Sequence, residues 1–94
     1  MDIKKTSPSG RLEIASEQFE SGTVSLYKVK GTEDYYLEIW GTVSDEISIT
    51  DSNNTYFTVI YEEFSSQKVV NAIGYIDYSD DYYCTVNGET IIFS

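Results

Sequence analysis

The residue types that most often carry chemistry are scarce in this chain of 94 residues. It has no histidine, which removes imidazole bases, serine–histidine and cysteine–histidine pairs, and histidine-ligated metals. Cys84 is the single cysteine. Its neighbours place it on a core face with Val86 and Ile91, with no nearby cation to favour thiolate, so a structural thiol is expected. Carboxylates, by contrast, are plentiful: sixteen acidic residues face six basic ones, for a net charge of −10. A carboxylate pair can perform glycosidic acid–base work, but that needs a deep cleft to desolvate one partner, and a chain this short has little room for one. Asp77, Asp80 and Asp81, and Asp45, Glu46 and Asp51, sit on loops as calcium ligands do. Neither set has the sixth-position glycine and twelfth-position glutamate of an EF-hand, and acidic turn residues are usually just solvated. No glycines have the spacing of a phosphate-binding loop. The expectation is a protein that is not an enzyme, with no cofactor and no metal.

What remains is an uneven distribution of charge and aromatics. Residues 1–30 hold five of the six cations (Lys4, Lys5, Arg11, Lys28, Lys30) against four acids, a net of +1. Residues 31–94 hold twelve acids and only Lys68, a net of −11, together with eight of the nine tyrosines and the single tryptophan. A local phrase recurs there, Glu33-Asp34-Tyr35-Tyr36 and Asp80-Asp81-Tyr82-Tyr83, each at the start of an expected strand. Because successive strand residues face opposite ways, one tyrosine of each pair can join the core while the other lies exposed beside the acidic turn. Tyrosine in strands and acid in turns are ordinary in any β domain. That account leaves the shortage of balancing lysines unexplained, whereas aromatic anchors ringed by charge are the make-up of a protein interface. The candidate partner-binding residues are Tyr36, Glu38, Trp40, Asp80, Asp81 and Tyr83, with Glu33 and Asp34 at the rim.

Several elements must position these residues. The surest lies in Gly74–Phe93, where Asn87-Gly88 supplies the two positive-φ positions of a type I′ turn between runs of β-branched and aromatic residues. A two-residue loop sets Val86 against Glu89, Thr85 against Thr90, Cys84 against Ile91, Tyr83 against Ile92 and Tyr82 against Phe93. Val86, Cys84, Tyr82, Ile91 and Phe93 then form a core face. Upstream, residues 1–10 are polar and read as a flexible arm, and residues 11–94 as a single β-rich domain. Leu12 and Ile14 open a strand, and Ser16–Gly22 fits one helical turn. Thr23–Lys30 alternates, with Val24 and Leu26 on one face and Ser25, Tyr27 and Val29 on the other, and Tyr35–Trp40 alternates with Tyr35, Leu37 and Ile39 facing one way and Tyr36, Glu38 and Trp40 the other. Glu46–Thr50 and Thr55–Glu62 flank the turn-forming Asp51-Ser52-Asn53-Asn54 and predict a hairpin, with Ile47 and Ile49 across from the Phe57, Val59, Tyr61 face. Glu62–Ile73 is ambiguous: Val69, Val70 and Ile73 fit a helical stripe capped at Ser65 or Ser66 and ended by Gly74, while Lys68–Tyr78 also alternates as a strand. The helix is preferred. The fold class is mainly β, a small antiparallel sheet of about six or seven strands in meander and hairpin connections with one short helix near 65–73, the alternative being α+β.

The acidity disfavours direct nucleic-acid binding and anionic membranes, and no stretch approaches the ~20 apolar residues of a spanning helix. A single cysteine in so small a domain points to a reducing, cytoplasmic setting. The function expected is neutralisation of a basic protein (a toxin, nuclease or nucleic-acid-binding protein) by an immunity-type or phage-type inhibitor. Regular phosphate mimicry would need acids at i and i+2 along strands, and such pairs are few; a mixed aromatic and acidic plug fits better. Two other classes compete: a carbohydrate-binding or cell-surface β module, and a structural or virion assembly protein.

Overall fold

The computed structural model describes residues 10–43, 46–64 and 67–93. Of the expected arm, all but Gly10 lies outside them. The strands are β1 (Arg11–Phe19), β2 (Gly22–Val29), β3 (Tyr35–Val43), β4 (Ile49–Asp51), β5 (Thr58–Phe64), β6 (Gln67–Ile76), β7 (Tyr83–Val86) and β8 (Glu89–Ile92). All pairing is antiparallel, in a five-stranded sheet of order β1-β2-β3-β6-β5 and a three-stranded sheet of order β4-β7-β8. There is no helix among the described residues, so the fold is all-β, with eight strands where six or seven were expected.

Period-two patterning explains the two layers. Val24 and Leu26 of β2, Leu37 and Ile39 of β3 and Val70, Ala72 and Ile76 of β6 are buried, while their strand neighbours point away. Most of this face joins one core cluster with Phe19, Phe57, Tyr82, Cys84, Val86, Ile91 and Phe93. Burying those apolar surfaces, at about 25 cal/mol per Å², is what holds the smaller sheet against the larger. The chain runs β1-β2-β3 as a meander, crosses to the second sheet as β4, returns to the far edge as β5, pairs back as β6 beside β3, and crosses again to β7 and β8.

The Asn87-Gly88 hairpin forms in the expected register, with Val86 opposite Glu89, Cys84 opposite Ile91 and Tyr83 opposite Ile92. Asn87 and Gly88 take φ of 50° and 86°, the left-handed values the turn requires. Asn87 also ties this hairpin to the chain entering β4: its backbone N–H donates to the Ser48 carbonyl at 2.8 Å, and its Oδ1 accepts from the Ser48 N–H at 2.9 Å.

Three expectations are corrected. Residues near 65–73 form no helix, because Gln67–Ile76 is β6; the preferred reading and its α+β alternative give way to the strand alternative. Lys68–Ile76 pairs residue for residue with Tyr35–Val43, and nine consecutive pairings on one side plus β5 on the other outweigh a weak helical stripe. Ser65 and Ser66, the expected caps, lie outside the described residues. Ser16–Gly22 holds no helical turn: β1 continues to Phe19, and Glu20-Ser21 turns the chain into β2. Finally, β4 pairs with β7 and β5 with β6. Ile47 and Ile49 therefore do not form a hairpin with the Phe57–Tyr61 face, although the two segments meet where the Tyr61 hydroxyl accepts the Ile47 N–H at 2.9 Å.

Candidate partner-binding site

The outer face of the five-stranded sheet is built by the residues that alternation sends away from the core. Pairing places Tyr27, Tyr36 and Tyr75 side by side across β2, β3 and β6. The Tyr27 and Tyr36 rings stack at 5.3 Å between centroids and 21° between planes, and Tyr75 meets Tyr36 at 5.4 Å with the planes tilted by 51°. The Arg11 guanidinium lies 4.4 Å from the centre of the Tyr27 ring and donates from Nη1 to the Tyr36 hydroxyl and to Glu38 Oε1, each at 3.2 Å. Asn71 Nδ2 donates to Glu38 Oε2 at 3.2 Å. Both Glu38 oxygens are thus engaged, and its charge is met within the chain. The hydrogen bond to Tyr36 raises the Arg11 pKa above its ordinary value, and burial raises that of the Tyr27 phenol despite the cation over its ring. Beyond this network Trp40, Ile60 and Phe64 are exposed on the same face, interspersed with Thr23, Asn71 and Glu62.

A cleft of about 500 Å³ opens at one end of this sheet, lined by Glu33, Asp34, Tyr35, Asn53, Thr55, Tyr56, Tyr75, Ile76 and Asp77. Three segments meet there: the β2–β3 turn, the β4–β5 loop and the end of β6. Their placement has local causes. The Thr32 hydroxyl donates to the Val29 carbonyl at 2.8 Å and accepts the Asp34 N–H at 3.0 Å, which shapes the acidic turn. The β4–β5 loop winds around Asp51, whose carboxylate accepts from the N–H groups of Asn53 and Thr55 and from the hydroxyls of Thr55 and Tyr82. Asn53 Oδ1 then accepts the Asp77 N–H at 2.8 Å, clasping loop to strand end. Tyr56 and Tyr75 project into solvent, 88% and 67% exposed.

Two of the lining residues, Glu33 and Tyr35, also meet Lys28, which is not itself part of the lining. Lys28 Nζ lies 3.6 Å from Glu33 Oε2 and 5.8 Å from the centre of the Tyr35 ring. The described residues give no salt-bridge partner to Asp34 or Asp77. The arrangement is one that favours ammonium or guanidinium: carboxylates supply Coulomb attraction, about 1 kcal/mol at 4 Å in water and about 4 at an effective dielectric of 20, and ring faces add roughly 0.5–2 kcal/mol. Among the described residues no three acidic or cysteine side chains come together as a metal site.

The structure divides the residues expected to bind a partner. Glu33 and Asp34 line the cleft. Tyr36, Glu38 and Trp40 share the outer face, but Tyr36 is buried beneath its neighbours and Glu38 is neutralised, leaving Trp40 exposed. Asp80 and Asp81 lie exposed in the β6–β7 connection and do not line the cleft. Tyr83 is exposed on the outer face of the other sheet, opposite Ile92, so the sandwich separates it from Trp40. Tyr56, Tyr75 and Asp77 are not among the partner-binding residues expected from the sequence, where Asp77 figures only in an acidic loop cluster. Their residue types matched the acidic and aromatic signal, but only the pairing of β6 with β3 brings Asp77 and Tyr75 beside the Glu33-Asp34 turn. No helix among the described residues is long and apolar enough to cross a membrane. No protein-family model, curated protein or solved structure matches the chain.

Proposed function

We propose that this chain is a non-catalytic binding protein that neutralises a basic protein partner by seating its lysine or arginine side chains in the acidic, tyrosine-lined cleft. The observation that supports this reading is the cleft itself, where the carboxylates of Glu33, Asp34 and Asp77 and the rings of Tyr35, Tyr56 and Tyr75 line one space. The net charge of −10 extends the effect beyond contact range, since a field of one sign speeds encounter with an oppositely charged surface. An immunity-type or phage-type inhibitor of a nuclease or nucleic-acid-binding protein is the member of this class that a small acidic plug suits best.

The test is an affinity capture from the source organism's lysate with the natural chain and with an Asp34→Asn/Asp77→Asn variant, washed at about 0.05 M and then about 0.5 M salt, over which the screening length falls from over 10 Å to under 5 Å. One basic protein, held by the natural chain, released by salt and lost to the variant, is expected. An identical retained set for both chains, or a set with no basic protein, overturns the reading. A second reading, sugar stacking on the outer face, is favoured by Trp40, half exposed between Thr23 and Asn71 of the neighbouring strands. It predicts that soluble glycans shift Trp40 fluorescence, and a flat titration across a broad panel removes it.

A further inference from the structure

The two edges of the five-stranded sheet are treated differently by the sequence. At the β1 edge the register breaks between Glu13 and Ala15, a bulge of the kind that twists an edge away from further pairing. At the β5 edge the register with β6 runs unbroken from Thr58 to Phe64. Seven regular residues at about 3.4 Å each make an unbroken edge of ~24 Å. Among the described residues, no backbone hydrogen bond joins Thr58–Phe64 to any segment other than β6. No proline interrupts the strand, and every residue in it except Val59 is exposed.

The side chains of this edge are selective. Glu62 and Glu63 are adjacent, so one carboxylate stands on each face of the sheet; Lys68 of β6 stands opposite Glu63 and its ammonium lies 5.5 Å from the Tyr61 ring, but neither glutamate has a salt-bridge partner among the described residues. Ile60 and Phe64, 55% and 57% exposed, flank Glu62 on the outer face. A second copy of the chain is a poor occupant. Two-fold pairing over the whole strand centres on Tyr61 and gathers four carboxylates within two residues of the axis, facing Ile60 and Val59 of the other copy. A strand with adjacent cations meets the opposite situation, with one positive charge delivered to each face and apolar neighbours to cover Ile60 and Phe64. The same two glutamates that oppose self-pairing therefore favour a cationic guest.

We propose that the free edge of β5 captures an extended basic segment of a partner protein by strand addition, with Glu62 and Glu63 reading two adjacent cationic residues. Backbone hydrogen bonds supply affinity in this mode and the flanking side chains supply choice. The surface is separate from the cleft and stands without it.

The test uses the full chain and a synthetic decapeptide carrying a Lys-Lys pair between valines and threonines, followed by amide hydrogen exchange and NMR shifts. Slowed exchange and shifts confined to Thr58–Phe64 are expected. Methylating alternate peptide amide nitrogens should abolish them, and Glu62→Lys/Glu63→Lys should weaken binding at least tenfold while restoring affinity for the matching Glu-Glu peptide. Asp34→Asn/Asp77→Asn should leave the β5 signal intact, which separates failure of this proposal from failure of the cleft. Shifts centred on the cleft, equal binding by the methylated peptide, indifference to charge reversal, or dimerisation through β5 at low salt would each overturn it.

Discussion

Replacing Asp51 with alanine is expected to cost about 3–5 kcal/mol and to loosen the candidate site at the same time. Asp51 is 8% exposed, the one charged residue buried among the described residues. Oδ1 accepts from the Thr55 N–H at 2.7 Å and the Asn53 N–H at 3.2 Å; Oδ2 accepts from the Thr55 hydroxyl at 2.5 Å and the Tyr82 hydroxyl at 2.8 Å. Hydrogen bonds to a charged acceptor contribute roughly 1.5–3 kcal/mol when buried, and a donor left unsatisfied costs roughly 1–3. The bonds from Asn53 and Thr55 are only partly buried, so they contribute less than the fully buried one from Tyr82. Tyr82 is 2% exposed and its hydroxyl has no access to water, so it carries the largest share. A chain of this length has roughly 5–14 kcal/mol of total stability, so the loss is a large fraction of it. Urea unfolding followed by far-ultraviolet circular dichroism measures it. Tyr82→Phe alone should cost about 1–2 kcal/mol, and the double variant should cost less than the sum by a similar amount. Because the loop also carries Asn53, Thr55 and Tyr56, Asp51→Ala should broaden the cleft's NMR signals before global unfolding. A loss under about 1 kcal/mol, or strict additivity with Tyr82→Phe, would refute the assignment of Asp51 as the hub of the loop.

Stability should be level up to about pH 9 and fall above it. Burial, reinforced by Asp51, pushes the Cys84 thiol from 9.0 up to about 12, and burial with the Asp51 hydrogen bond raises the Tyr82 phenol above its ordinary 10.0. The unfolded chain gives up a proton that the folded chain keeps above pH 9 at Cys84 and above pH 10 at Tyr82, each removing about 1.4 kcal/mol per pH unit from there, roughly 4 kcal/mol for the two by pH 11. Urea midpoints from pH 7 to 11 check this, and Cys84→Ala should flatten the first unit above pH 9; a level profile to pH 11 would contradict it. Gly74→Ala should cost about 1–3 kcal/mol, since its Cβ would lie 2.5 Å from Phe57 Cδ1 and 2.9 Å from Thr55 Cγ2. Trimming the ring with Phe57→Leu should recover part of that loss in a thermal melt, and no recovery would place the strain elsewhere.

Some of this protein is determined by its sequence alone. The Asn87-Gly88 turn needs two left-handed residues in a row, few residue types provide them, and a two-residue loop leaves one register; the inward faces of β7 and β8, with Cys84 among them, follow directly. Likewise, the alternation of β2 and β3 assigns Val24, Leu26, Leu37 and Ile39 to the core, because a strand has only two faces and one of them was apolar. Long-range pairing decided the rest. Gln67–Ile76 carries a pattern compatible with helix or strand, and it is a strand because β3 and β5 hydrogen-bond to both its edges. The same pairing made the site. Glu33 and Asp34 are 40 residues and more from Tyr75 and Asp77 in the chain and meet them only because β3 and β6 are neighbours, while Tyr83, which shares the acidic-tyrosine phrase, was carried by β7 to the opposite face. Local chemistry settles turns and faces because both involve residues a few positions apart. Which faces share a surface depends on the order of strands in the sheets, and that is fixed by contacts no short window of sequence contains.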